Sequence, residues 1–281
     1  MVQFFDPIKN IEISYHVDEK LKIKWDKLRN GILEKKDEDR IYLIDGRERT
    51  GKSVFAFQQA KYLDPTFTLA RVCFTPEEFL KAIRTALRGQ VIVFDEAFRG
   101  LSSKSTQSKV NKAIVQALME MGQRNLIIFI VLPTFFLLEI YAAVLRSNCL
   151  FHIYKNKSGN RCFRIYNFSQ KSLLYKVGKK KGFSYKWPIV KQRGKFFNVY
   201  AIDEDSYRKK KLESFAKTEY AEEEEEIRYK KERDLIIKYL YKTDINSYRK
   251  LSSWLSRAGV RLSYVQARDI VINCPENVDL C

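Results

Sequence analysis

The chain has 281 residues, of which 45% are hydrophobic and 14% aromatic, enough to bury a core and to argue against global disorder. Its 52 Lys and Arg residues outnumber 34 Asp and Glu residues, and the net charge of +18 indicates a polyanionic partner, either nucleic acid or an anionic membrane surface, unless it reflects only a solvated Lys-rich surface. The five cysteines have neither zinc-finger nor redox spacing and the first residues lack a signal-peptide pattern, so reduced thiols in the cytoplasm are expected.

Residues 1–40 are predicted to form an N-terminal helical extension. A short strand is predicted within residues 4–15, and a helix over residues 17–35, where apolar side chains recur at helical spacing. The favoured interpretation is a helix packed on the edge of the core, and the alternative is a subunit contact.

Residues 41–60 combine an apolar strand, a polar loop and a helix, and the loop has the pattern GxxxxGKS. Two glycines let backbone N–H groups turn toward phosphate oxygens, and the following helix adds the positive end of its dipole. Lys52 supplies a cation for the β- and γ-phosphates, and Ser53 a hydroxyl for Mg²⁺. ATP and Mg²⁺ are therefore the expected cofactors, against the alternative of a plain βα turn. The expected nucleotide-binding residues are Gly46, Arg47, Glu48, Arg49, Thr50, Gly51, Lys52, Ser53 and Val54.

An acidic pair follows downstream of this loop. After a predicted strand over residues 69–74 and a predicted helix over residues 76–87, four apolar residues lead into Asp95 and Glu96. Asp95 is expected to hold Mg²⁺ through water, together with Ser53, and Glu96 to polarise the attacking water. The alternative is an acid pair that caps a strand end. A whole strand and helix between the two motifs indicates the ATPase branch in which an additional strand separates the P-loop strand from the acidic strand.

The next stretch contains a predicted loop and an apolar run. Residues 97–110 are Ser-rich and predict a surface loop beside the nucleotide, either contacting DNA or mobile. A helix is predicted over residues 111–121. The apolar run 126–145 has the length of a membrane span, but Pro133 and a glutamate interrupt it. A buried strand, a break and an amphipathic helix are therefore expected, without stable membrane insertion.

Residues 118–154 resemble the second half of the FtsK/HerA motor core, a family of DNA-translocating P-loop ATPases. In that family an Arg precedes a buried strand, a polar sensor ends it, and an Arg-x-Asn segment leads to the last strand. Arg124, Thr134 and residues 146–148 stand at these positions. The resemblance implies that Arg124, or else Arg146, reaches across a subunit interface to stabilise phosphoryl charge, and that Thr134 is the sensor. A local ion pair is the alternative for Arg124. The layout over residues 41–154 is also similar to filamentous-phage assembly ATPases related to zonular occludens toxin.

Beyond the core, strand-like pieces alternate with basic connectors. Strands are predicted at residues 151–154, 161–168, 172–177 and 196–200. Between the last two, a cationic hairpin with aromatic neighbours suits phosphate contact and stacking, unless its lysines only protect a sheet edge. The lysines concerned are Lys179, Lys180 and Lys181. The charged residues 203–232 are predicted to form an exposed linker helix or a partly disordered tether.

The last segment, residues 233–281, contains three helical patterns. A tight turn at Ala258-Gly259 and a capping box of Ser263 with Gln266 resemble a helix-turn-helix. Its expected DNA-contacting residues are Arg261, Ser263, Tyr264, Gln266 and Arg268. An unspecific helical cap is the alternative.

These predictions combine into an α/β fold: a P-loop NTPase with a mostly parallel central sheet of the RecA-like, additional-strand branch, a basic β-rich extension and a small C-terminal all-helical module. The expected activity is Mg²⁺-dependent ATP hydrolysis coupled to translocation or packaging of double-stranded DNA by a homo-oligomer, such as a hexameric ring. The alternatives are an ATP-switched DNA-binding regulator or loader and a membrane-associated assembly ATPase. The expected segments are 1–40, 41–155, 156–202, 203–232 and 233–281.

Overall fold

The computed structural model of the protein describes residues 1–6, 11–33, 39–95, 104–243 and 245–274. The chain divides into two compact units, Met1–Ser214 and Phe215–Cys281. Within the described residues, no helix combines the length and the apolar character needed to cross a membrane.

The first unit holds most of the secondary structure. Its elements in chain order are β1 (Val2–Asp6), β2 (Ile11–Tyr15), α1 (Glu19–Leu33), β3 (Arg40–Gly46), α2 (Lys52–Leu63), β4 (Val72–Cys73), α3 (Pro76–Thr85), β5 (Val91–Phe94), α4 (Lys104–Glu120), β6 (Ile127–Val131), β7 (Cys149–Lys155), β8 (Arg161–Tyr166), α5 (Phe168–Lys180) and β9 (Arg193–Lys195). The long helix α6 (Glu204–Thr243) begins in this unit.

Among the described residues, β1 and β2 pair with each other, and the other strands form a seven-stranded sheet in the order β4-β5-β6-β3-β7-β8-β9. Neighbours from β4 to β7 are parallel, and β8 and β9 are antiparallel. The carboxyl ends of β3, β5 and β6 therefore lie at one edge of the sheet. The predicted α/β fold with a mostly parallel central sheet is confirmed, and β6 lies between the P-loop strand and the acidic strand.

Helices cover both faces of this sheet. Successive side chains of β3 alternate between the faces, so Tyr42 and Ile44 join one core, and Ile41 and Leu43 join the other. The first core also contains apolar residues of α1 and α2, and the second those of α3, α4 and α5. Because neither face meets water, β5 and β6 are apolar and buried along their whole length.

Helix α1 packs on the same face of the sheet as α2. The N-terminal segment thus contributes a helix packed against the core, which is the interpretation that the sequence favours. Trp25 lies in this core and its indole Nε1 donates to Gln59 Oε1 at 2.8 Å. The Tyr15 hydroxyl at the end of β2 donates to the carbonyl of Gln58 at 2.9 Å. Both contacts fix the N-terminal elements to the helix that follows the P-loop.

Several predicted elements have different bounds or a different type. The strand predicted over residues 69–74 is reduced to β4, because a 3₁₀ turn occupies Leu69–Arg71. The predicted loop over residues 97–110 is helical from Lys104 onward, and residues 96–103 lie outside the described residues. The amphipathic helix expected after β6 is instead a 3₁₀ turn, Phe135–Leu137, followed by a π-helix, Tyr141–Arg146.

A buried lysine explains how that irregular segment is stabilised. Lys171, fully buried on α5, donates through Nζ to the carbonyls of Ala143 at 3.1 Å, Val144 at 2.9 Å and Ser147 at 2.6 Å. These carbonyls lie at the end of the π-helix, and the Ser147 hydroxyl also donates to the carbonyl of Ala143, at 2.8 Å. Side chains thus satisfy buried backbone acceptors that the helix end leaves outside its own hydrogen-bond ladder.

The strand predicted at residues 172–177 is wrong. These residues belong to helix α5, which opens with a capping box in which Asn167 and Gln170 bond each other's backbone N–H. Lys179 and Lys180 consequently lie in the last turn of a helix and Lys181 is its C-cap, so the predicted cationic hairpin is also wrong. Residues 196–200, also predicted as a strand, are not one; the strand in this region is β9, which ends just before them.

The second unit consists, in its described residues, of the remainder of α6, α7 (Tyr248–Arg257) and α8 (Tyr264–Asn273). Of the two alternatives for the charged residues 203–232, a linker helix or a partly disordered tether, the structure has the helix, because α6 runs through this stretch and on into the first predicted C-terminal helix. A small core holds these helices together, and it contains Ile237, Leu251, Leu255, Ala267 and Val271. The predicted turn has Gly259 at φ 88°, and the predicted capping box of Ser263 with Gln266 opens α8.

Candidate nucleotide site

The loop between β3 and α2 needs its glycines for steric reasons. Gly46 has φ 143°, and a Cβ there would lie 2.2 Å from the carbonyl oxygen of Ile153 on the neighbouring strand. No side chain fits in that space. Gly51 has φ 97° and is the N-cap of α2. Both positions require a positive φ, which glycine adopts without strain.

The first turn of α2 offers backbone N–H groups to an anion. Among the described residues no side chain caps this turn. The side chain of Thr50 donates to the carbonyl of Arg47 at 2.7 Å, which fixes the loop. Lys52 Nζ donates to the carbonyls of Gly46 at 2.8 Å and Arg47 at 3.0 Å, so the ammonium lies over the loop. A helix start without a side-chain cap and a nearby cation fit a phosphate group.

The other predicted loop residues contribute less through their side chains. Arg47, Glu48 and Arg49 are exposed, and Arg49 has φ 58°. Val54 is only 3% exposed and packs in the core, so its contribution to a phosphate site is limited to its backbone.

Ser53 and Asp95 form the predicted metal pair. The Ser53 hydroxyl donates to Asp95 Oδ1 at 3.0 Å. Asp95 follows β5, is fully buried, and its N–H donates to the carbonyl of Cys73 at 2.8 Å. A hydroxyl and a carboxylate beside a phosphate site are oxygen ligands that suit Mg²⁺. The donor set therefore fits a magnesium nucleotide. Glu96, the predicted water-activating residue, lies outside the described residues.

Sequence reasoning missed a buried network at the start of the P-loop. Asp45 is fully buried; its Oδ1 lies 2.8 Å from His152 Nδ1, and its Oδ2 accepts from the N–H of Phe135 at 2.9 Å. The hydroxyl of Tyr185 also donates to Asp45 Oδ2, and its ring stacks on His152 at 4.0 Å. Burial, and then the Asp45 charge, raise the pKa of Tyr185 above its ordinary value. An acid in the apolar run before Gly46 was the available signal.

This network includes the predicted sensor. Thr134 follows β6 at the same sheet edge as the P-loop, and its Oγ1 lies 3.0 Å from the hydroxyl of Tyr185. The residue next to it, Phe135, donates to Asp45. Hydrogen bonds through two side chains, Tyr185 and Asp45, thus link Thr134 to the P-loop.

A tyrosine from α6 contacts the predicted metal ligand. The hydroxyl of Tyr207 donates to Asp95 Oδ2 at 2.6 Å, although the two residues are 112 positions apart. Burial, and then the Asp95 carboxylate, raise the pKa of Tyr207 above its ordinary value, so the hydroxyl keeps its proton. No sequence pattern near Tyr207 indicated this contact.

An arginine on β8 lies against the P-loop. A Cβ at Gly51 would be 3.1 Å from Arg161 Cδ, 3.2 Å from Arg161 Nη1 and 3.3 Å from the ring of Phe196. The Arg161 guanidinium donates to the side chain of Asn198. The structure therefore brings a second cation close to the loop, which the sequence did not indicate.

The two predicted finger candidates lie away from this site. Arg124 is exposed and precedes β6, at the sheet edge opposite the P-loop. Arg146 forms an ion pair with Asp39, which also precedes a parallel strand, β3. Asn148 accepts from the N–H of Ile41 at 2.7 Å and so joins β7 to β3. Arg146 and Asn148 thus make structural contacts within the chain.

The predicted nucleic-acid residues are dispersed. Lys179 donates to the hydroxyl of Tyr175 at 2.9 Å, and Lys180 and Lys181 are exposed. In the second unit, Ser263 and Gln266 bond each other's backbone, and Arg268 pairs with Asp269 at 3.1 Å.

An open cleft of about 680 Å³ lies between α7 and α8. Arg249, Arg257 and Arg261 line it, with serines and Tyr264. Within the part of the chain that the structure describes, none of the three guanidiniums has a carboxylate partner, and Arg249 lies over the Tyr264 ring at 5.8 Å. Of the predicted DNA-contacting residues, Arg261, Ser263 and Tyr264 border this cleft.

The strand order, the GxxxxGKS loop and the Ser53–Asp95 pair define a P-loop nucleotide-binding fold. No protein-family model matches the chain, and no curated protein matches it significantly.

Several solved structures show a weak likeness. One is the N-terminal domain of zonular occludens toxin from Neisseria meningitidis, at 17% identity and a TM-score of 0.30, covering 47% of this chain and 85% of that one. A DNA polymerase III gamma subunit-related protein from Thermotoga maritima has 12% identity and a TM-score of 0.34, covering 57% and 53%. A third structure, an ATPase domain, has 12% identity and a TM-score of 0.30, covering 54% and 90%.

Proposed function

We propose that the chain is a Mg²⁺-dependent ATPase that couples hydrolysis to translocation or packaging of double-stranded DNA, as a homo-oligomeric ring of the FtsK/HerA kind. The observation that carries the ATPase part is the Ser53–Asp95 bond of 3.0 Å beside a first turn of α2 that no described side chain caps. The residues proposed to bind phosphate and metal thus lie at one sheet edge.

Each residue has a distinct task in this proposal. The N–H groups at the start of α2 and the Lys52 ammonium bind the β- and γ-phosphates. Ser53 and Asp95 would hold Mg²⁺, which would neutralise charge on the phosphates. Glu96 polarises the attacking water, and Thr134, linked to Asp45 through Tyr185, senses the γ-phosphate.

Two further features support a DNA partner and a ring-shaped oligomer. The net charge of +18 and the arginine-lined cleft favour a polyanionic partner. Arg124 is exposed at the sheet edge opposite the P-loop, so it can reach a nucleotide only in a neighbouring subunit. A shared site of this kind requires an oligomer.

ATP hydrolysis measured against duplex DNA of increasing length tests the proposal. A motor continues to gain ATPase rate as the duplex lengthens, whereas an ATP-switched regulator saturates on a short duplex. Glu96→Gln should bind ATP without hydrolysing it, because only water activation is lost. Absence of ATP hydrolysis by the wild type, with and without DNA, would contradict the enzymatic proposal.

Mixed oligomers test the role of Arg124. Neither Arg124→Ala nor Lys52→Ala should hydrolyse ATP alone, but a mixture should recover part of the rate, since one subunit supplies the P-loop and its neighbour the arginine. No recovery after verified subunit exchange would assign Arg124 a structural role.

A further inference from the structure

Asp95 is held by donors from two different parts of the chain. Ser53, at the start of α2, donates to Oδ1 at 3.0 Å, and Tyr207, in the first turn of α6, donates to Oδ2 at 2.6 Å. Because the carboxylate is fully buried, each donor restricts its rotation in a dry environment.

Tyr207 is itself firmly placed. Its side chain is 3% exposed, and its ring meets Phe57 of α2 edge-on at 5.0 Å and lies 5.8 Å from Tyr200. Its backbone N–H donates to the carbonyl of Asp203 at 3.1 Å, which begins the helix. The hydroxyl can therefore shift little relative to the P-loop helix.

A second hydrogen bond indicates that the Tyr207 hydroxyl acts as the donor to Asp95. Lys211, one turn later on α6, donates through Nζ to the Tyr207 oxygen at 3.2 Å. Since that oxygen accepts from an ammonium, its own O–H is left to donate to Asp95. Lys211 thus donates to Tyr207, and Tyr207 in turn donates to Asp95, the predicted metal ligand.

We infer that Tyr207 is a positioning residue for magnesium nucleotide binding: it orients the Asp95 carboxylate so that Oδ1 stays directed at Ser53 and the metal position. The inference rests on the proposed nucleotide site. Groups that orient metal ligands through hydrogen bonds typically contribute about 10- to 100-fold to metal affinity. Helix α6 therefore supplies part of a site whose recognised P-loop and acidic motifs both lie before residue 97.

Binding of ADP and of a non-hydrolysable ATP analogue, measured by titration calorimetry with Mg²⁺ and with EDTA, tests the inference. Tyr207→Phe keeps the ring packing and removes only the hydroxyl. The dissociation constant in EDTA divided by that in Mg²⁺ measures how much the metal tightens nucleotide binding. In Tyr207→Phe this ratio should fall about tenfold, while the dissociation constant in EDTA stays unchanged. Tyr200→Phe is the matched control, because it removes a different hydroxyl from the same aromatic cluster and leaves the Tyr207 bond to Asp95 intact, so it should keep the wild-type ratio.

Lys211→Met provides a second variant that leaves the tyrosine in place, and it should shift the ratio in the same direction by a smaller factor. A wild-type ratio in Tyr207→Phe, or a larger one, would overturn the inference; a larger ratio would mean that Tyr207 competes with the metal. If the wild type itself binds no nucleotide, or binds it without any effect of Mg²⁺, the proposed function fails instead. Thermal unfolding of each variant confirms that it is folded.

Discussion

The carboxyl edge of the sheet and the C-terminal helical unit both carry charged groups, but they hold them in opposite ways. At the sheet edge, Asp45 and Asp95 are fully buried, and side chains from distant elements fix their oxygens. In the C-terminal unit, Arg249, Arg257 and Arg261 are exposed around an open cleft.

This difference would suit two kinds of ligand. Buried and oriented groups suit a small ligand whose charges have one geometry, such as a metal-bound triphosphate. Exposed arginines suit a polymer whose phosphates repeat, because each cation needs only proximity to the backbone and contributes through counterion release. If the two regions bind their ligands independently, a substitution in one should leave the ligand of the other unaffected.

Replacing Arg249, Arg257 and Arg261 with Gln should produce the largest effect. Each lost phosphate contact lowers the salt-dependence slope by about 1, so three contacts reduce duplex affinity by roughly 500-fold at about 0.1 M salt. Binding to one duplex across a salt series measures this. The exposed Lys250→Gln, on the same helix but outside the cleft, is the matched control. An unchanged slope in the triple variant would remove the cleft from DNA binding.

Lys52→Ala should affect the other region alone. Loss of charge-assisted bonds to the phosphates is expected to weaken ATP binding by roughly 100-fold, whereas DNA binding without nucleotide stays at the wild-type value. Calorimetry for ATP and the same salt series for DNA measure both. Equal loss in the two assays would mean that the regions are not independent.

Asp45→Asn tests the buried network through stability. The amide introduces a donor where Phe135, Tyr185 and His152 already approach the carboxylate, which should lower the free energy of unfolding by about 2 kcal/mol. Urea denaturation of the two proteins measures the difference. Tyr185→Phe removes one member of the network and should cost less. An unchanged free energy of unfolding in Asp45→Asn would show that the network is not needed to hold the P-loop strand.

Lys171 should produce the smallest effect, and it is a pH effect. Burial lowers its pKa from 10.5 to about 8, so between these values the unfolded chain binds more protons at this residue. Stability from this group therefore rises as pH increases through that window. The difference in unfolding free energy between wild type and Lys171→Met should change in favour of the wild type by about 1 kcal/mol from about pH 7 to about pH 9. A constant difference would mean that the carbonyls around Nζ keep the lysine charged.

Short-range patterns predicted much of the molecule. Consecutive residues predict the P-loop, the strand that precedes Asp95 and the capping box of Ser263 with Gln266. The same kind of signal is present at Asn167 and Gln170, but the apolar residues that follow them predict a strand where the structure has helix α5. A capping box is a stronger indication of a helix than a short apolar run is of a strand.

What the sequence determined by itself is the set of groups whose chemistry needs neighbours along the chain: glycines, Lys52 and Ser53 in one loop, and an acid at the end of an apolar strand. The tertiary structure alone decided which distant side chains complete them. Tyr207 reaches Asp95 across 112 positions, and Tyr185 reaches Asp45 across 140. Such pairs depend on strand order and helix packing, which periodicity does not encode. Their partners can therefore be identified only once burial forces each polar group to find a donor or an acceptor.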